Sequence, residues 1–423
     1  MSRIRTSRLF LAACALVMVA ASCSSSTHQG NATSPSTGHA SPASSGATYT
    51  IGLLTDQTGP LSDTAKTTVN GVKAAVGMFN AEGYHLNYVV ADTASSPSGA
   101  LAGAQRLVEQ DHVFAVDLVS GLGFAAEPYL VSKGIPVIGA DIDGGTPWIS
   151  ARNMFSSFGS PNFHDVETTI GLILKKLGAK NFASIGYSIS PSSSLNAKAA
   201  AASAQLAGIK VGYLNSQLPY GSTNVGPEVI AMKNAGVDSL EASTVQSTSL
   251  ALISGLRTAG AHLVAPILVA GYGTLPTEGA ATQAFAKGGY IPFPFEPVEL
   301  HTPATQRLVN ALMTYAGIPS NRIDEAAYEG YISVDSFVAG LKKAGNSRPT
   351  QAQFIDAMLS IRSYNAAGLY GSHTIGFAMD QRGHGTAGAD NCGWMVRWDG
   401  SSFTLVNDMQ PLCGTIVAGK SVS

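Results

Sequence analysis

The stretch that most constrains the fold of this chain runs from Val113 to Asp143 and reads VFAVDLVSGLGFAAEPYLVSKGIPVIGADID. It contains two short apolar runs, Phe114–Val119 and Pro136–Gly139, which are bounded by Gly and Pro. Short, Val- and Ile-rich runs of this kind favour buried strands over helices. A short helical segment lies between them, and two parallel strands joined by a helix form a βαβ unit. The stretch therefore predicts one unit of a parallel sheet.

The turn after the first of these strands is the first candidate for a binding site. Ser120–Gly123 would lie at the carboxyl edge of the sheet, where a helix start offers free N–H groups. Gly121 and Gly123 would let a small anion approach the backbone closely. Asp141 and Asp143 leave the next strand on the same edge, so we expect the ligand in the crevice between the two turns.

Strands and helices alternate from Tyr49 to about Pro292, and repeated βα units predict parallel sheets with helices on both faces. A pattern of this length contains more strands than a single sheet usually holds. The sequence therefore predicts an α/β protein with two doubly wound lobes. After Pro297 three helices follow, and the tail returns to β structure from Tyr370, with a hairpin near Trp394–Val406.

The N-terminus has the pattern of an export signal. Three arginines within the first eight residues precede the apolar run Leu9–Ala21, which is too short to span a membrane as a mature helix. Small residues stand directly before Cys23 and resemble a bacterial lipobox, which predicts a signal peptide over 1–22 and a lipid on Cys23. The segment Leu11–Cys14 also fits the lipobox pattern, but it would leave almost no hydrophobic region. Conventional secretion without lipid is the other alternative.

Residues 24–48 are dominated by Ser, Thr, Gly, Ala and Pro and include no large apolar side chain. Such a segment cannot bury enough surface to offset its ordering entropy. We therefore expect residues 23–48 to form a disordered tether between the lipid and the folded protein.

Cys392 and Cys413 are the cysteines that remain for the mature domain, and an even pair in an exported chain predicts a disulfide. They flank a hairpin-like segment with Asp399-Gly400 at its turn. No further cysteine or nearby histidine accompanies either of them in the sequence, so we expect no metal site.

Charge and motifs exclude several functions. The net charge of −2 and the absence of a basic run give no reason to expect a nucleic-acid partner. The sequence lacks G-x-S-x-G, H-E-x-x-H and the phosphate-binding P-loop pattern. Gly121–Ala126 matches G-x-G-x-x-A with Asp141 twenty residues beyond, as in dinucleotide-binding enzymes. That turn follows the third strand rather than the first, and an exported protein lacks cytosolic cofactors, so we expect neither an enzyme nor a cofactor.

Several segments in order resemble the leucine/isoleucine/valine-binding family of ABC-transporter receptors, which have the type I periplasmic-binding-protein fold. The resemblance covers about residues 49–410 and is carried by IGLLTDQTGPLSDTAKTTVNGVKAAVGMFNAEG, YVVADTASSPSGALAGAQRLV, VSGLGFAAEPYLVSKGIPVI, AAYEGYISVDSFVAGLKKAG and FAMDQRGHG. It implies a clamshell of two lobes joined by three crossovers. The lobes would be 49–160 with 295–372, and 161–294 with 373–423.

The resemblance also implies where a ligand would bind. A ligand carboxylate would meet Ser120 and Gly121. Asp143 stands where the family has a Thr. A Tyr of the second lobe has no clear counterpart, since Ser190–Ser192 occupies its region and Tyr187 lies slightly earlier, and a second aromatic of that lobe is replaced near Val245-Gln246. The acidic group for an ammonium would lie in 271–278, with Tyr272 and Glu278 as candidates. Because half of this set departs from the family, an amino acid is less strongly implied than a small amphipathic acid or amide.

The resemblance implies an extracytoplasmic, lipid-anchored, monomeric solute-binding protein of an ABC importer. Its partners would be a small solute and a membrane permease, and its mechanism would be closure of the two lobes over the solute. A surface receptor that senses a ligand with the same clamshell is the alternative that the sequence leaves open.

Overall fold

The structure is a computed structural model, and it describes residues 46–345, 348–384 and 388–423. The predicted signal peptide, the lipid site at Cys23 and the predicted tether as far as residue 45 lie outside the described residues. Within the described parts, no helix combines the length and the apolar character that crossing a membrane requires.

The strands of the described residues are β1 (Tyr49–Thr55), β2 (Leu86–Asp92), β3 (Ala115–Val119), β4 (Val137–Gly139), β5 (Met154–Ser156), β6 (Asp165–Glu167), β7 (Asn181–Tyr187), β8 (Lys210–Leu218), β9 (Ser239–Ser243), β10 (Ala265–Leu268), β11 (Tyr290–Phe293), β12 (Cys392–Trp398), β13 (Phe403–Leu405), β14 (Leu412–Cys413) and β15 (Ile416–Ser421). The helices are α1 (Ser62–Ala65), α2 (Thr68–Ala81), α3 (Pro97–Glu109), α4 (Glu127–Lys133), α5 (Pro147–Ser150), α6 (Thr169–Lys176), α7 (Pro191–Leu206), α8 (Gly226–Ala235), α9 (Gln246–Thr258), α10 (Ala280–Ala286), α11 (Pro303–Ala311), α12 (Glu325–Ala344) and α13 (Gln351–Leu359).

Two large sheets organise these elements. The first has the order β2-β1-β3-β4-β5 and is parallel throughout. The second has the order β13-β12-β11-β10-β9-β7-β8, in which β12 and β13 run antiparallel to their neighbours and the rest are parallel. The prediction of an α/β protein with two doubly wound, parallel-sheet lobes is confirmed.

The chain passes between the two sheets three times. It leaves the first sheet after β5 and returns after β11 to supply α11 and α12, which pack on α2 beside the first sheet. It then rejoins the second sheet at β12. The predicted lobe boundaries at residues 160, 294 and 372 stay a prediction.

Local sequence signals account for where several helices begin. The Ser96 hydroxyl accepts the N–H of Gly99 at the start of α3, and Pro97 occupies the first helical position. Asp324 accepts the N–H of Ala327 at the start of α12. At α13, Thr350 and Gln353 form a reciprocal capping box.

The C-terminal hairpin and the disulfide are both confirmed. Strands β12 and β13 pair antiparallel, and the Asp399 carboxylate accepts the N–H groups of Ser401 and Ser402 in the turn. These hydrogen bonds lower the pKa of Asp399 to about 2. Cys392 and Cys413 are bonded to each other across β12 and β14.

Helices α2 and α12 touch backbone to backbone. A Cβ atom at Gly71 would overlap the carbonyl oxygen of Ala327, and a Cβ atom at Gly330 would overlap that of Thr68. Each glycine therefore gives the other helix room to approach. This contact fixes α12 against the first sheet, and α12 carries part of the cavity described below.

We expect Gly71→Ala to lower the free energy of unfolding by about 1–3 kcal/mol, because the added methyl group forces α2 and α12 apart. Urea unfolding followed by circular dichroism measures the change. Gly226→Ala at the start of α8 is the matched control, since its Cβ atom would come no closer than 4.0 Å to its nearest neighbour, Asn224 Oδ1. Equal stability of Gly71→Ala and the wild type would contradict the backbone contact.

Candidate ligand-binding cavity

A cavity of about 410 Å³ lies between the carboxyl ends of the strands of the two large sheets. The first sheet contributes residues that follow β1, β3 and β4, namely Asp56, Gly121, Leu122, Asp141 and Ile142. The second sheet contributes residues at or after the ends of β7, β9, β10 and β11, namely Tyr187, Ser243, Thr244, Val245, Val269, Ala270 and Phe293. A cavity of this volume is in the range of small-molecule sites, and this is the edge where α/β sheets bind ligands.

Ser120 holds Asp56 rather than facing the cavity. Its hydroxyl donates to Asp56 Oδ1 at 2.9 Å, and its oxygen accepts the N–H of Leu122 at 3.3 Å. The Thr93 hydroxyl donates to the same Asp56 oxygen. Ser120 is buried and does not line the cavity, while Gly121 beside it does. A direct contact between Ser120 and a ligand stays a prediction.

Asp56 is a cavity residue that sequence reasoning missed. It follows β1 directly and was not among the predicted ligand contacts. Burial raises the pKa of Asp56 to about 6, although the hydrogen bonds from Thr93 and Ser120 oppose that shift. Its position one residue after a buried strand is the signal that could have identified it.

The two predicted aspartates after β4 have different surroundings. Asp141 lines the cavity, whereas Asp143 accepts Trp148 Nε1–H and the N–H of Gly145, each at 3.1 Å. Burial, together with the charge of Asp143, raises the pKa of Glu127 to about 10 and that of Asp141 well above its usual range. Burial raises the pKa of Asp143 itself to about 6. The crevice predicted between the turns is therefore a cluster of buried carboxyl groups.

Tyr187, which the resemblance made a candidate for contact with a ligand, lines the cavity. Its ring lies 5.3 Å from that of Tyr220, centroid to centroid, in an edge-on arrangement. Its hydroxyl and that of Thr248 share a hydrogen bond of 2.7 Å. Tyr220 also lines the cavity, and sequence reasoning missed it because it lies in a loop after β8.

Gln246 and Tyr272 do not line the cavity. Gln246 donates to Glu278 Oε1 at 2.7 Å and accepts from Thr274. The Tyr272 hydroxyl donates to Glu299 at 2.9 Å, and its ring packs against Phe293 at 4.4 Å between centroids. Local partners hold both side chains away from the cavity, and their predicted contact with a ligand stays a prediction.

Further carboxyl groups reach the cavity from the second sheet and from α12. Glu241 lies in β9 and Glu167 ends β6, while Glu325 and Glu329 begin α12. Burial raises the pKa of Glu241 and of Glu167 to about 7 and that of Glu325 to about 8. None of these four glutamates was among the residues predicted to bind a ligand.

Among the described residues, one group with the proximity of metal ligands consists of His373, Cys392 and Cys413. His373 Nδ1 lies 3.7 Å from Cys392 Sγ, a proximity that the sequence spacing did not predict. Both sulfur atoms are joined in the disulfide and His373 pairs with Asp390, so this group offers no free thiolate.

We expect Glu241→Gln to flatten the dependence of stability on pH. The pKa of Glu241 is about 7 in the folded protein, against 4.5 for an ordinary glutamate, so its stabilising contribution is complete below pH 4.5 and is lost as pH rises through 7. Melting temperatures measured from pH 5 to pH 8 should fall less for Glu241→Gln than for the wild type. Gln keeps an acceptor for Asn196 Nδ2–H, which donates to Glu241 Oε1 at 3.0 Å. Asp408→Asn, at an exposed position, is the control, and parallel curves for all three proteins would contradict the argument.

Solved structures with the same architecture include three binding proteins. A branched-chain amino acid ABC transporter protein from Thermus thermophilus with bound valine is 16% identical, with 85% of this chain and 96% of that chain covered and a TM-score of 0.69. An ABC transporter solute-binding protein from R. palustris in complex with benzoate is 15% identical, with 89% and 98% covered and a TM-score of 0.69. A leucine-binding protein from Thermotoga maritima is 14% identical, with 85% and 97% covered and a TM-score of 0.66.

At these identities the likeness concerns the fold, which is that of the type I periplasmic binding proteins, as the resemblance implied. No curated protein sequence matches the chain. The family model described as periplasmic binding protein matches residues 48–402, which is most of the chain, and the protein therefore belongs to the periplasmic binding protein family.

Proposed function

We propose that this protein is the solute-binding component of an ABC importer and captures a small organic solute in the cavity between its two sheets. The observation that carries the proposal is the cavity itself, which is enclosed by strand ends of both sheets and has a volume of about 410 Å³. Benzoate and valine, the ligands in two similar structures, are molecules that a cavity of this size could hold.

The proposed mechanism is closure of the two lobes over the solute. Residues that line the cavity belong to both sheets, so a solute bound there contacts both and favours the arrangement in which they are close. The closed form would be the one that the permease recognises. Capture of this kind involves no covalent chemistry, and we propose no catalytic role for the protein.

The location of the protein follows from its N-terminus. We propose that cleavage before Cys23 and lipidation of that cysteine hold the protein as a monomer on the extracytoplasmic face of the membrane, near its permease. A diacylated cysteine provides the two-chain anchoring that stable attachment requires.

A thermal-shift screen tests solute capture. The purified protein, refolded to remove any carried-over ligand, would be melted with amino acids, short carboxylates, amides, amines, aromatic acids, sugars and nucleosides. We expect one chemical class to stabilise it, since a ligand at a hundredfold over its dissociation constant adds about 2.7 kcal/mol. No shift with any class would count against solute capture and favour a partner-binding role.

Cys23→Ser is expected to move the protein from the membrane fraction to the soluble extracytoplasmic fraction and to abolish incorporation of a labelled fatty acid. Cys14→Ser, which alters the competing lipobox cysteine, is the matched control and should leave both readouts unchanged. If the Cys14→Ser protein left the membrane fraction while the Cys23→Ser protein stayed in it, the lipid anchor would be assigned to Cys14.

A further inference from the structure

The described residues that line the cavity include acidic side chains and no basic ones. Of the described residues that line it, seven have carboxyl side chains and none is Lys, Arg or His. The seven are Asp56, Asp141, Asp165, Glu167, Glu241, Glu325 and Glu329. The ion pairs found within the described parts of the chain use other carboxylates, so they neutralise none of these seven.

Three of these carboxyl groups are almost completely buried and incompletely paired. Asp56, Asp141 and Glu241 are each at most 3% exposed. No side chain donates a hydrogen bond to either carboxylate oxygen of Asp141, and the same holds for Asp56 Oδ2 and Glu241 Oε2. An ammonium group in the cavity would supply these oxygens with the hydrogen-bond donors that the protein does not provide, and its charge would favour their ionised form.

A basic side chain at this end of the first sheet interacts with other carboxylates. Lys66, just after α1, acts electrostatically on Asp63 and Asp324 and does not line the cavity. Neither Asp63 nor Asp324 lines it. The protein's own charges therefore leave the acidic lining uncompensated from this side.

Two serine hydroxyls that line the cavity, and that of Ser120 beside it, already donate to the protein. Ser120 donates to Asp56, Ser192 to the carbonyl oxygen of Ile142 at 2.7 Å, and Ser193 to that of Ser243. A serine hydroxyl has one hydrogen to donate, so these three offer an incoming anion no donor without breaking a bond.

Aromatic and apolar side chains complete the lining. The lining includes apolar residues such as Leu61 and Leu122 and five aromatic residues, namely Tyr187, Tyr220, Phe158, Phe163 and Phe293. Aromatic faces attract organic cations, most strongly where water is excluded.

We infer that the solute is an organic cation, a protonated amine with an apolar body, whose ammonium group pairs with the carboxylates that line the cavity. The inference rests on the proposed solute capture and specifies its chemical class. It differs from the expectation of an acid or amide, and Asp141 and Glu241 are the carboxylates on which we expect the ammonium to depend most.

Matched series of ligands test the charge of the solute directly. Isothermal titration of the purified full-length protein in mild detergent would compare 2-phenylethylamine, L-phenylalanine and 3-phenylpropionate, which share one body and differ in charge. A second series is 3-methylbutylamine, L-leucine and 4-methylpentanoate, and a third compares 1,5-diaminopentane with glutarate. We expect the amine of at least one series to bind about tenfold or more tightly than its zwitterionic or anionic counterpart.

Two variants connect the preference to named carboxylates. Asp141→Asn and Glu241→Gln should each weaken binding of the preferred amine about tenfold or more, whereas Asp408→Asn, which removes the same charge at an exposed site, should not. Melting curves report whether each variant folds. Asp141 follows a strand of the first sheet and Glu241 lies in the second, so if one variant fails to fold, the other still tests whether binding depends on a cavity carboxylate.

The outcomes separate this inference from the proposed function. The inference is supported if an amine binds most tightly and if both cavity variants weaken the binding of that amine. Tighter binding of an acid or a zwitterion overturns the inference but leaves solute capture standing. Absence of binding in every series and in the wider screen overturns both.

Discussion

Parallel strands joined by helical crossovers have all their carboxyl ends at one edge of a sheet. The position of the residues that line the cavity depends on that constraint. Asp56, Gly121 and Asp141 are far apart in sequence, yet each follows a strand of the first sheet and all line one cavity. Tyr187 and Ser243 reach the same space because they end strands of the second sheet. The site is thus a consequence of topology before it is a consequence of any motif.

The cavity is bordered by carboxyl groups whose burial is unfavourable for the stability of the unliganded protein. Buried carboxyl groups such as Asp141 and Glu241 resist ionisation, as their raised pKa values indicate, and they lack enough partners to offset the loss of water. The surrounding scaffold is closely packed, as the backbone contact between α2 and α12 at Gly71 and Gly330 illustrates. Positions that are costly for folding and have no structural partner are commonly found at sites of function.

Sequence reasoning predicted, to the level of strand ends, some of the residues that line the cavity. Gly121, Asp141 and Tyr187 line the cavity because their positions follow from where buried strands stop. Ser120, Asp143, Gln246 and Tyr272 were selected by the same reasoning or by resemblance, but each is occupied by a partner within the protein. Those partners, such as Trp148 for Asp143 and Glu299 for Tyr272, become neighbours only on folding. The sequence could not predict which of these oxygen atoms and rings would contact another part of the protein instead of the cavity.

By itself the sequence determined the fold class, the C-terminal disulfide and hairpin, and the edge of the sheets at which the cavity lies, because these depend on local patterns of apolar residues, turns and cysteine pairing. The tertiary structure alone decided the charge of the cavity. Asp56, Glu241 and Glu329 belong to a loop, a strand and a helix that have no relation in sequence, and only packing brings their carboxyl groups around one space. Electrostatic interactions depend on distance in space and on burial, which local sequence patterns do not encode.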